Sequence, residues 1–108
     1  MDDKTRRRLA FLVACKAGLA PTSVYSFETG RHTNMEAGAQ GMMIDHGSGT
    51  RFDHSFDYAR DADWRLKLAG SEFTGFDHGF GHHFAGVITG RSVQIYDYGE
   101  GRYFDYSV

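Results

Sequence analysis

Apolar and polar positions alternate along most of this chain, and from Thr22 onward turn residues interrupt the alternation every eight to twelve positions. That rhythm predicts antiparallel strands over 22–28, 31–36, 50–58, 63–69, 81–89, 92–98 and 102–108. The last three form the clearest block. Val93, Ile95 and Asp97 alternate with Gln94, Tyr96 and Tyr98, and Gly90-Arg91 supplies a short turn before them. Residues 37–49 are glycine-rich and weakly periodic, which predicts a loop with a short strand at Met42–Asp45. Ser55 to Gly70 fits two patterns. A helix would use Ser55 as cap, Asp61–Arg65 and Asp63–Lys67 as pairs four residues apart, and Gly70 as stop. Strands would align Phe52, His54, Phe56 and Tyr58, then Trp64, Leu66 and Leu68; the unbroken period of two favours strands.

The first twenty residues follow a different period. Leu9, Leu12, Val13 and Lys16, or Leu9, Val13 and Ala17, fall on one helical face. Asp2 or Asp3 caps the start, Gly18 stops the helix, and Pro21 lies beyond. Read this way the helix is amphipathic, with Arg6-Arg7-Arg8 facing solvent or an acidic partner. So short a helix is marginal alone and must pack on the sheet or on another chain.

Two stretches 71 positions apart share one pattern: Val24 to His32 and Ile95 to Tyr103. Both read as β-hairpins with three-residue loops, Glu28-Thr29-Gly30 and Gly99-Glu100-Gly101. Such loops would pair Tyr98 with Arg102, Tyr96 with Phe104, Phe27 with Arg31 and Tyr25 with Thr33. One face of the last hairpin then carries Tyr96, Tyr98, Arg102, Phe104 and Tyr106, and the other Val93, Ile95 and Tyr103. The expected fold is α+β: one domain over 1–108, with a helix in 1–20 packed on a body at 22–108. That body is a small antiparallel sheet or partly closed barrel of six to eight short strands, and Arg102–Val108 is a candidate free edge.

Composition narrows the class. Sixteen aromatic residues (nine Phe, six Tyr, one Trp) in 108 positions supply large contact areas for a thin β core. Twelve basic against fourteen acidic residues give a net charge of −2, short of the basic excess of a double-stranded nucleic-acid binder. No apolar run approaches the ~18 residues of a membrane-crossing helix. A lone cysteine, Cys15, excludes an internal disulfide and points to a reduced, cytoplasmic protein. The alternative is a bacterial lipid-anchored envelope protein, because Leu12-Val13-Ala14-Cys15 resembles a lipobox. Its apolar lead, Leu9 to Ala14, is short for a signal segment, and Asp2 and Asp3 oppose the usual positive start.

Chemistry-bearing motifs are sparse. An apolar residue, Asp and His recur as Ile44-Asp45-His46, Phe52-Asp53-His54 and Phe76-Asp77-His78. The loop 76–83 could bring Asp77, His78 and His82 round a divalent transition metal. Neighbouring strand residues diverge, so the other triplets cannot share an ion. No local signature makes Cys15 a nucleophile, and no phosphate-binding glycine motif is present. The expectation is therefore a non-catalytic interaction domain that binds a protein partner or itself. Its candidate contact residues are Tyr96, Tyr98, Arg102, Phe104 and Tyr106, with Tyr25, Phe27 and Arg31 on the first hairpin, or the free edge strand. The alternative is a metal- or small-ligand-binding protein using the 76–83 loop.

Overall fold

The computed structural model describes all residues 1–108 and shows a closed antiparallel barrel of ten strands threaded by one helix. In chain order these are α1 (Asp3–Lys16), β1 (Ser23–Ser26), β2 (Arg31–Ala37), β3 (Met43–Asp45), β4 (Thr50–Phe52), β5 (Phe56–Asp57), β6 (Ala62–Ala69), β7 (Glu72–Asp77), β8 (His82–Thr89), β9 (Ser92–Asp97) and β10 (Arg102–Ser107). Each strand pairs with its sequence neighbours, and β10 closes the ring on β1 through Tyr25 opposite Ser107 and Ser26 opposite Tyr106. This corrects the expectation of a small sheet or partly closed barrel of six to eight strands. Closure also removes the free edge expected at Arg102–Val108, because the backbone groups of β10 are taken by β1 and β9.

The additional strands have local causes. In β7, Gly75 interrupts the apolar alternation, so the strand is weakly marked in the sequence. Its glycine is required. A Cβ there would overlap the Arg65 carbonyl and the Phe84 ring, and one on Gly86 would overlap the Gln94 carbonyl and the Phe73 ring. Phe84 lies opposite Gly75 and Phe73 opposite Gly86, so each ring covers the glycine across from it. Residues 50–58 split into β4 and β5 because Asp53 Oδ1 accepts hydrogen bonds from the Ser55 and Phe56 N–H groups at 2.8 Å each, which turns the chain. Residues 62–69 form a strand, in line with their period of two.

The helix lies in the barrel lumen, with no face open to solvent along Leu9–Ala14. Six consecutive fully buried residues cover every direction round a helix, the mark of a buried rather than an amphipathic one. Geometry explains the fit. Ten strands ~4.8 Å apart, tilted by ~40°, give a backbone diameter of about 20 Å. Inward side chains take ~5 Å from each wall and leave about 10 Å, the width of a helix. Small Ala10 and Ala14 and the rings of Phe11, Phe52, Trp64, Phe73 and Phe84 fill the remaining space. Asp2 caps the helix by accepting from the Thr5 N–H at 2.9 Å, and Gly18 ends it at φ +88°.

The arginine run is likewise inside, which corrects its reading as a solvent-facing stripe. Five turns of one design line one rim of the barrel, beginning at Ser26, Asp45, Asp57, Asp77 and Asp97. The fifth residue of each, Gly30, Gly49, Asp61, Gly81 and Gly101, has positive φ. In the aspartate turns one carboxylate oxygen accepts from the backbone N–H two positions on, at 2.8 to 3.1 Å. The other oxygen reaches inward. Arg7 and Arg8 hold Asp45 at 3.0 and 2.9 Å, Arg8 also holds Asp57 at 3.0 Å, and Arg6 holds Asp97 at 3.0 Å. Arg60 bridges Asp57 and Asp77 at 2.8 and 2.9 Å. Burial alone would raise the Asp45 and Asp97 carboxyls. The guanidinium donors, joined at Asp97 by the Met1 ammonium at 2.9 Å, outweigh it and hold both below the usual carboxylate range. Ser26 lacks a carboxylate, and Asp3 of the helix supplies one, accepting from Ser26 at 2.7 Å and from the Tyr106 hydroxyl at 2.8 Å.

Candidate binding face

The turns decide which side chains face outward. Each hairpin loop has four residues, not three: Asp97 lies opposite Arg102, Tyr96 opposite Tyr103 and Ile95 opposite Phe104. The first hairpin repeats this, with Ser26 opposite Arg31 and Tyr25 opposite His32. One residue of register exchanges the two faces of a strand. Phe104 and Tyr106, expected beside Tyr96, are therefore in the core, and Tyr103 is outside. Tyr106 donates to Asp3 and accepts from Arg6 at 3.1 Å, and burial followed by the Asp3 charge pushes its hydroxyl pKa well up.

Cross-strand register lays out the outer wall of β6–β10 in rows. Arg65 stands opposite Phe76, and Phe76 opposite His83. The next row runs Lys67, Thr74, Ala85, Tyr96 and Tyr103. The rings touch in sequence. Phe76 and His83 are 4.7 Å apart between centroids, His83 and Tyr98 6.5 Å, Tyr98 and Tyr96 4.8 Å, and Tyr96 and Tyr103 4.8 Å. His78 packs on Phe76 at 4.8 Å. Tyr98 and Tyr103 each stay 59% exposed. The small side chain of Ala85 leaves a depression among these rings. A groove of about 740 Å³ runs from Arg65 and Lys67 to Tyr98, and one of about 530 Å³ continues to Tyr96 and Tyr103. Both share Thr74, Ala85 and Tyr98. Because the helix fills the lumen, these grooves lie on the outside of the wall.

The other expected contact residues are spread more widely. Arg102 sits at the rim, paired with Glu28 at 2.8 Å and lying over the Phe104 ring at 4.2 Å. Tyr25 contacts Phe27 at 4.9 Å and His32 at 4.7 Å in a second outer cluster, beyond β10 from Tyr103. Arg31 is exposed on β2. Of the eight, only Tyr96 and Tyr98 belong to the continuous ring track, which also takes in Phe76, His83 and Tyr103.

The three candidate metal ligands point different ways. Asp77 faces the barrel interior, accepting from the N–H groups of Gly79 and Phe80 and from Arg60 at 2.8 to 3.2 Å. His78 lies outside on Phe76, and the His82 ring lies over Gly99. No group of three His, Cys, Asp or Glu side chains is gathered to hold an ion. Cys15 is half-buried near the end of the lumen helix, and burial pushes its thiol pKa up. No helix is long and apolar enough to cross a membrane, which says nothing of strands. Compared with known proteins, the chain matches no family model, no curated protein and no solved structure.

Proposed function

We propose that this chain is a non-catalytic interaction domain that binds through the outer aromatic face of β7–β10. The observation that supports this reading is Tyr98 and Tyr103, left largely exposed yet held in ring contact with Tyr96. Rings steadied by neighbours offer large contact area while losing little side-chain freedom on binding, the usual anchor of an interface. Strand addition is not part of the reading, since the barrel has no open edge.

The test compares wild type with a Tyr96→Ser/Tyr98→Ser/Tyr103→Ser variant of confirmed circular dichroism, using pull-down from the native host and sedimentation velocity. Loss of the captured partner, or of self-association, in the variant supports the proposal. Capture and self-association that do not change on substitution overturn it.

A further inference from the structure

Resting on that reading of the face, we propose that its occupant is single-stranded nucleic acid. Its phosphates would lie beside Arg65 and Lys67, and its bases on the rings from Phe76 to Tyr103. Charge is the first argument. Arg65 and Lys67 are exposed and take part in none of the molecule's ion pairs. No acidic residue lines the larger groove, whereas His82 and His83 do. The four arginines and four aspartates of the rim are paired with one another, so the local potential is set by Arg65 and Lys67 in the larger groove against Asp63 and Glu72 at its margins.

Shape is the second argument. The ring track crosses β7 to β10 and the cations stand at its β6 end, so the path spans four strand gaps, about 19 Å. That length matches the short end of single-strand sites, about four nucleotides, where bases stack on aromatic platforms without sequence readout. A duplex hides its base faces and would meet only two unpaired cations here, which disfavours it. Glu72 lines the smaller groove from β7, diagonally across from Lys67, which places the phosphates on the Arg65 side of that pair.

The experiment is fluorescence anisotropy of the intact protein with labelled oligo(dT) and oligo(U), a duplex of equal length, and heparin as a base-free polyanion. Two phosphate contacts predict that affinity for the single strands falls about tenfold between ~50 and ~300 mM salt. Arg65→Glu/Lys67→Glu should weaken binding more than tenfold and flatten that salt dependence. Tyr98→Ala and Tyr103→Ala should each weaken it about tenfold while keeping the salt dependence. All three variants change only outer-wall residues, so unchanged melting curves confirm that the fold is intact. The proposal is overturned by no single-strand binding at ~50 mM salt, by equal affinity for duplex or heparin, or by variants that bind as wild type does. If oligonucleotides fail while the Tyr96/Tyr98/Tyr103 variant still loses a captured protein, nucleic acid is rejected and the face remains a protein-binding one. If both fail, the face itself is rejected.

Discussion

Arg8 is 3% exposed, with its guanidinium between Asp45 and Asp57 and also donating to the Ser48 hydroxyl at 3.0 Å. Arg8→Ala therefore leaves two carboxylates inside the barrel with less compensation. Removing one partner of a buried pair costs about 3–5 kcal/mol, so the variant should unfold at far lower urea than wild type or fail to accumulate. An unchanged urea midpoint would show that the pairs contribute nothing. Thr5 is the opposite case on the same helix. Its hydroxyl is fully buried and has no hydrogen-bond partner. Thr5→Val keeps the shape and removes an unsatisfied polar group, so stability should stay level or rise by about 1 kcal/mol in the same titration. A loss above that size would mean the hydroxyl has a partner in solution.

The rim turn is the element on which the rest depends, because its length sets which residues enter the core. Deleting Glu100 would produce a three-residue connection between β9 and β10 and move every later side chain by one position. Phe104 and Tyr106 would leave the core while Tyr103 and Asp105 entered it. The expected result is loss of the folded state, read as a collapse of near-ultraviolet circular dichroism; a native spectrum would show that the register tolerates the shift. Gly101→Ala, which only strains a residue at φ +72°, should cost about 1 kcal/mol. This turn also explains what the sequence discloses. The helix ends are legible in Asp2 and Gly18, and the hairpin likeness of 24–32 to 95–103 is real. The same turn recurs at Asp45, Asp57 and Asp77; at Asp45 and Asp77 the apolar-Asp-His triplet resembles metal chemistry although the aspartate is a turn cap aimed at arginine. Loop length is not legible, since three- and four-residue loops both end in a left-handed glycine. Without it, Tyr103 is assigned to the wrong face. In the sequence Arg65 and Lys67 read only as members of helix-type charge pairs, because their place beside Phe76 and Ala85 depends on β7, which Gly75 obscures.

At the scale of the molecule, helix and wall share one core, so neither has a packed interior without the other. Far-ultraviolet circular dichroism and the signal of Trp64, buried against Phe52 at 6.0 Å, should therefore report one coincident thermal transition. That transition should depend on pH in a defined sense. Asp45 and Asp97 ionise more readily in the fold than in the unfolded chain, where an aspartate titrates near ~3.9. The unfolded chain thus binds more protons at acid pH, and lowering the pH favours it. The stability these carboxylates contribute is fully present above the unfolded value and is lost as pH falls through the folded ones. Protonated, they would also leave Arg6 and Arg7 as uncompensated charges and Arg8 with Asp57 alone, which steepens the loss. The melting temperature should be nearly level from about pH 7 to pH 5 and fall steeply below about pH 4. Asp45→Asn should melt lower at neutral pH yet lose less on acidification, because one of the titrating groups is gone. A wild-type melting temperature that stays flat to about pH 3, or one whose decline begins above about pH 6, far above the range in which Asp45 and Asp97 take up protons, would refute this account of the rim.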